Sequence, residues 1–265
     1  MNRDFIAQHW YASVYEKFEN QTHDIVFLLK VLAEQTSSQS QNILEVACGG
    51  GRICVSLAKA NHIVTGFDAD EHMLLRCYRR MAGLPNIHCY QAEAAMSDWG
   101  ADFDVVVMAG NILINIESDM DYEEAQKTFI KNAAASLRTG GHLYLDFDLH
   151  YNPAISFNRL KESSYFEGTD ELGTAGRIVS YGSVYDPITR ICTGVGHWEL
   201  TTNSGEQFIL PKRWYKHIPT QSQVYGWLSD SGFSIERTYL NYTAEPIPEL
   251  IIEAVNRAII WARKL

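Results

Sequence analysis

Ile43-Leu44-Glu45-Val46-Ala47-Cys48-Gly49-Gly50-Gly51-Arg52 is the stretch whose reading decides the fold of this chain. A short apolar run ends in three consecutive glycines, and a helix-forming segment follows through Ala60. Glycine takes left-handed backbone angles readily and lets a ligand come close to the main chain. A strand that enters such a turn and then a helix is the corner at which doubly wound sheets bind ligands, outside the carboxyl ends of their strands.

Outward from this corner, strands and helices alternate. Asn42 to Ala47 reads as the first strand, His62 to Phe67 as the second, Asn86 to Gln91 as the third and Phe103 to Met108 as the fourth. Asp70 to Ala82 and Tyr122 to Leu137 have helical periodicity, and Gly140 and Gly141 suit the end of the latter helix. His142 to Phe147 is a fifth strand. The alternation predicts an α/β fold with a parallel sheet covered by helices on both faces. Upstream, Asp4 to Phe18 and Asp24 to Glu34 read as two helices, joined to the sheet by the polar stretch Gln35 to Gln41. After Asp148 the pattern changes. Arg177 to Tyr185, Ile191 to Thr201 and Glu206 to His217 read as an antiparallel insertion too long for a loop. Gln221 to Ser231, Phe233 to Asn241 and Ala258 to Ala262 return to helix and strand. The expected organisation is a helical lid at 1–41, a core at 42–148 and 221–265, and a β insertion at 149–220.

Composition narrows the function. The chain has 265 residues and a formal net charge of -10, which disfavours a nucleic-acid partner. Met1 to Trp10 carries no long apolar run, and no later segment has the length of a membrane span, so a cytoplasmic protein without a membrane partner is expected. The five cysteines, Cys48, Cys54, Cys77, Cys89 and Cys192, form no C-x-x-C pair. That pattern argues against a disulfide framework and against a metal site, and fits small buried residues in a reducing compartment.

The partners of the glycine turn add specificity. Asp68 ends the second strand about 20 residues on, where an acid can bond ribose hydroxyls. Met73 can lie on an adenine face, Glu93 can receive an adenine amino group, and Ala109-Gly110-Asn111 follows the fourth strand. This set resembles the class I S-adenosylmethionine-dependent methyltransferases. Their acid-x-Gly-x-Gly-x-Gly pattern stands here as Glu45-x-Ala47-x-Gly49-x-Gly51, with alanine for the first glycine. Their second signature stands as Gly66-Phe67-Asp68 through Met73-Leu74, the third as Glu93-Ala94, and the fourth as Phe103-Asp104-Val105-Val106. The resemblance implies a doubly wound, seven-stranded, mostly parallel sheet with S-adenosylmethionine as cofactor. It assigns cofactor contacts to Tyr11, Glu45, Ala47, Gly49, Gly51, Arg52, Asp68, Met73, Glu93, Ala94 and Ala109.

The acceptor is less legible. Gly110-Asn111-Ile112-Leu113 and the three-strand insertion resemble glycine, sarcosine and amino-sugar N-methyltransferases. Asp148 stands where the glycine-type enzymes carry a carboxylate-binding arginine, which points away from a free amino acid and towards an amine or a hydroxyl-rich small molecule. Tyr15, Asn111, Asp148, His150 and His217 are the candidate catalytic residues, the histidines and tyrosine as proton acceptors. The acceptor pocket is expected between the insertion, the N-terminal helix and Asn111, and the insertion is also a candidate homodimer contact. An O-methyltransferase and a cofactor-binding protein without catalysis are the alternatives. A nicotinamide-dependent oxidoreductase would need a third glycine at Cys54. A phosphate-loop enzyme is excluded because Gly-Lys-Ser/Thr is absent.

Overall fold

A computed structural model describes residues 2–36, 39–243, 245–247 and 255–265, with the backbone alone for Val255. Ser37 and Ser38, in the expected linker, lie outside the described residues. Helices α1 (Arg3–Phe18) and α2 (His23–Gln35) come first. Then β1 (Asn42–Val46), α3 (Arg52–Lys59), β2 (Ile63–Asp68), α4 (Glu71–Met81), β3 (Ile87–Gln91), β4 (Phe103–Met108), α5 (Tyr122–Ser136) and β5 (Leu137–His150) alternate as expected. After α6 (Pro153–Phe157) come β6 (Ser163–Thr169), β7 (Ala175–Tyr185), β8 (Ile191–Thr201) and β9 (Gln207–His217). Last are α7 (Gln221–Asp230), β10 (Phe233–Leu240) and β11 (Val255–Lys264). The chain divides into two compact units, Thr22–Tyr151 with Pro219–Leu265 and Met1–Gln21 with Asn152–Ile218.

The larger unit is built on a seven-stranded sheet of order β10-β11-β5-β4-β1-β2-β3. The pairs among β3, β2, β1, β4 and β5 are parallel, and β11 is antiparallel to both its neighbours. Successive side chains leave a strand on opposite faces, and both faces are covered. Ile43, Val105, Val107, Tyr144, Ile259 and Trp261 pack with buried residues of α2, α3 and α4. Leu44, Val106, Leu143, Leu145 and Ile260 pack with those of α5 and α7. This double cover is why β4 carries three valines in succession and all three are buried. The seven-stranded, doubly wound fold expected from the sequence is the one observed.

The expected helix end at Gly140-Gly141 is not where α5 stops. Leu137 already has extended angles and begins β5. The two glycines instead form an irregularity in the first part of that strand, between the pairs Phe103↔Leu137 and Val105↔His142. A Cβ at Gly141 would lie 3.0 Å from the carbonyl oxygens of both Arg138 and Asp104, so the bend needs glycine there for room.

The smaller unit is a four-stranded antiparallel sheet, β6-β7-β8-β9, with α1 packed on it. Three of its strands match expectation. The fourth, β6, was not expected, because Ser163-Ser164-Tyr165-Phe166-Glu167-Gly168-Thr169 has no buried residue and so no apolar alternation to read. The first two helices separate between the units. Ala7, Trp10 and Val14 give α1 a stripe at helical spacing that meets Ile178, Trp198, Leu200 and Phe208. Ile25, Leu28 and Leu32 of α2 are buried in the core of the larger unit with Tyr239, Ile259 and Trp261. No helix among the described residues is long and apolar enough to cross a membrane.

Trp10 anchors α1. It is fully buried, donates from Nε1 to the Gly168 carbonyl at 3.0 Å, and meets Trp198 edge-on. Trp10→Ala leaves both a cavity and an unpaired carbonyl. It is expected to cost about 3–5 kcal/mol, read as a lower urea midpoint for unfolding of the smaller unit.

Candidate active site

The turn after β1 is left-handed at Ala47 (φ 55°), Gly49 (φ 53°) and Gly51 (φ 76°), with Gly51 capping α3. Its backbone is tied to β2 at two points. Cys48 N–H donates to the Phe67 carbonyl at 2.9 Å, and Gly49 N–H donates to Asp68 Oδ2 at 2.8 Å. The glycines answer different demands. A Cβ at Gly49 would meet nothing within 4 Å, so the space before it is open. A Cβ at Gly51 would lie 2.5 Å from Cys77 Sγ, and one at Gly66 2.6 Å from Cys54 Sγ, so these two serve packing. Ala47 holds a backbone angle that favours glycine, at a cost of about 1–2 kcal/mol for an L residue.

Asp68 sits at the end of β2, half-buried. Its Oδ1 accepts from Asp70 N–H at 2.9 Å while Oδ2 holds Gly49. Burial raises its carboxyl above the ordinary value against the pull of these two donors. Asp70 in turn caps α4 by accepting from His72 and Met73 N–H, which places Met73 in the first helical turn. Glu93 is exposed just beyond β3, and the Ala94 carbonyl is taken by Trp99 Nε1 at 2.8 Å.

Glu45 and Arg52 behave differently from each other. Glu45 is 4% exposed, and burial pushes its carboxyl up to about 8, so it is largely neutral near pH 7. Arg52 forks onto Asp24 of α2, with Nη1 to Oδ1 at 2.8 Å and Nη2 to Oδ2 at 2.6 Å. Burial opposes ionisation of Asp24, but the Arg52 guanidinium outweighs it and holds that carboxyl below its usual range.

At the carboxyl ends of β4 and β5 lies a polar network. Gly110 (φ 69°) and Asn111 (φ 68°) turn left-handed after Ala109. Asn111 Nδ2 donates to Asp148 Oδ2 at 2.9 Å, and Asp148 N–H donates to Asn111 Oδ1 at 2.8 Å. Arg257 on β11, paired in register with Asp148, puts Nη1 3.0 Å from Asp146 Oδ1 and Nε 3.1 Å from Asp148 Oδ1. Tyr242 donates to Asp146 Oδ2 at 3.2 Å. Asp146 is fully buried, which raises its carboxyl despite Arg257. The sequence reading named Asn111 and Asp148 separately and did not name Asp146, Tyr242 or Arg257; the structure brings the five together. Only the antiparallel pairing of β11 with β5 delivers Arg257 to this place.

A family profile described as "Methyltransferase domain" matches residues 43–141. Residues 43–141 are thus similar to a methyltransferase domain, as the sequence motifs implied. A ubiquinone biosynthesis O-methyltransferase of Coxiella burnetii is 28% identical over 119 residues, 44% of this chain and 47% of that one. The chain thus spans about half the length of this curated relative. Among solved structures, an S-adenosylmethionine-dependent methyltransferase from Clostridium acetobutylicum shares the fold at a TM-score of 0.70, with 12% identity over 99% of both chains. An S-adenosylmethionine-bound amino pentose methyltransferase from Micromonospora echinaspora does so at 0.65, with 16% identity over 96% of both. S-adenosylmethionine is the cofactor that the sequence resemblance implies, and the residues at the turn fit it. Open space faces Gly49 and Gly110, where a Cβ would intrude, and a half-buried carboxylate stands at the end of β2.

The remaining candidates of the methyltransferase divide between its units. His150 ends β5, opposite Val255 in register. Tyr11, Tyr15 and His217 belong to the smaller unit. Tyr11 stacks on Trp198 with ring centroids 5.0 Å apart, and Tyr15 lies 5.8 Å from Phe166. His217 is 3% exposed at the end of β9.

The angle at Ala47 yields a direct test. Ala47→Gly removes the left-handed penalty while adding freedom to the unfolded chain. A net gain of about 0.5–1 kcal/mol is expected, measured as a higher denaturation midpoint with unchanged slope.

Proposed function

We propose that this methyltransferase transfers a methyl group from S-adenosylmethionine to the nitrogen of a small amine. When bound, the cofactor supplies an already activated sulfonium methyl, so the chain's own residues have only to position the acceptor and dispose of a proton. Asp68 is assigned to the ribose hydroxyls, the Gly49 backbone to the amino-acid tail, Met73 to the adenine face and Glu93 to its amino group. Tyr11 and Tyr15 are assigned to a lid.

The observation that carries the amine reading is the sharing of one guanidinium by two carboxylates. Arg257 contacts both Asp146 and Asp148, which leaves one net negative charge where the carboxyl end of β5 meets the start of β11. Such a site attracts a cationic amine and repels a free carboxylate. It also raises the amine's pKa, so a group must take the proton before transfer. Asp148, held in place by Asn111, is the first candidate, with His150 on the same strand as the second. The proteins described as amino-sugar methyltransferases share this fold, which is compatible with the reading without carrying it. A hydroxyl acceptor is the second reading, favoured by the match to the ubiquinone O-methyltransferase.

Two measurements test this. Asp68→Ala is expected to weaken S-adenosylmethionine binding by about 1–3 kcal/mol through lost charge-assisted bonds; unchanged affinity by calorimetry would refute the ribose assignment. Methyl transfer should then be measured with carboxylate-free amines, glycine, sarcosine and a catechol as acceptors. Transfer to the amines is expected to lead, and Asp148→Asn to lower kcat/KM for them about a hundredfold with cofactor affinity unchanged. A preference for glycine or for the catechol would overturn the amine reading, and no transfer to any of them would favour cofactor binding without catalysis.

A further inference from the structure

Four of the five cysteines converge beneath the glycine turn. Cys48 lies in the turn itself, Cys54 on α3, Cys77 on α4 and Cys89 on β3, and all four are buried. The sulfurs of Cys48, Cys77 and Cys89 lie within 4.8 Å of one another, with Cys77 and Cys89 3.3 Å apart. The Cys54 thiol is in hydrogen-bond contact with both Cys48 and Cys89. The sequence conceals this, because the ligands come from four separate elements and no C-x-x-C pair announces them.

Two further facts set the cluster apart from ordinary core filler. Neutral thiols are weak donors and weak acceptors, so four of them gain little from one another. Thiolates around a soft cation gain far more. A triangle of sulfurs no wider than 4.8 Å has a centre within about 2.8 Å of each, and a zinc–sulfur bond needs about 2.3 Å. In addition, Glu45 is bonded to Cys54 at the edge of the cluster, is 4% exposed, and has Oε2 without a hydrogen-bond partner among the described residues. Buried polar atoms are nearly always partnered, and a ligand at the cluster would supply the partner.

We propose that Cys48, Cys77 and Cys89 bind one Zn2+ ion, with Cys54 or Glu45 in the fourth position. The ion enters as the larger unit folds, since metal binding and folding are coupled and the site has no counterpart in the unfolded chain. Each of the three thiols gives up one proton to solvent on binding, the fourth ligand, Cys54 or Glu45, gives up one more, and no electron moves. The role is structural: the ion ties the cofactor turn to α4 and β3. This inference rests on the fold and stands apart from the amine reading.

The test is refolding of the full chain under reducing conditions, with and without one equivalent of Zn2+, followed by desalting and elemental analysis. About one equivalent of retained zinc and a raised Tm are expected. Loading with Co2+ should produce sulfur-to-cobalt charge-transfer absorption. The double variant Cys77→Ser, Cys89→Ser should retain less than about a tenth of an equivalent, while Cys192→Ser, a buried cysteine of the smaller unit, should retain as much as the parent. Should the double variant fail to refold, the cobalt spectrum of the parent decides. Absence of the thiolate band, zinc below about a tenth of an equivalent in the parent, or full retention in the double variant would overturn the proposal.

Discussion

The left-handed turn at Ala47, Gly49 and Gly51 carries a backbone angle at Ala47 that its side chain does not favour, and the end of β2 helps to hold it. The Asp68 carboxylate fixes Gly49 N–H with one oxygen and Asp70 N–H with the other. One side chain therefore sets the turn after β1 and the start of α4 together. Everything assigned to cofactor recognition follows from that bond, because it fixes the open space before Gly49 relative to the first turn carrying Met73. Gly51 and Gly66 make the arrangement possible from below by leaving room for Cys77 and Cys54.

The acceptor end depends on a different balance. Asp146 is fully buried beside a partly exposed Asp148, and two carboxylates so placed repel each other unless a cation stands between them. Arg257 provides it. Burial works against the charge on Arg257, but the two aspartates outweigh that penalty and hold the guanidinium firmly protonated. Asn111 and Tyr242 then take up further polar atoms of the pair.

Much of this was legible in the sequence because it is local. Consecutive valines in β4, the glycine turn after β1, and Asp68 at the end of β2 each express their meaning within a few residues. The doubly wound, mostly parallel sheet followed from alternation together with the four ordered motifs. What escaped notice was non-local or lacked periodicity. β6 buries no side chain and leaves no alternation. Gly140-Gly141 mark a strand irregularity, yet glycines after a helix read equally well as its cap. Arg257 sits beside a plain apolar run, and nothing within the run says that it will lie opposite Asp148. Glu45 was read as a cofactor contact, and nothing in the sequence shows that burial leaves it mostly neutral.

The placement of β11 between β5 and β10 has a consequence for biosynthesis. The central parallel strands emerge from the ribosome long before the residue that neutralises their buried acid, since Arg257 lies 111 positions after Asp146. A nascent chain that already contains β1 to β5 thus holds an uncompensated carboxylate at its prospective acceptor end, together with an open hydrogen-bonding edge on β5. Closure of that edge and neutralisation of that charge are one event, so a partly synthesised protein is barred from the finished site by both geometry and electrostatics until β11 is in place.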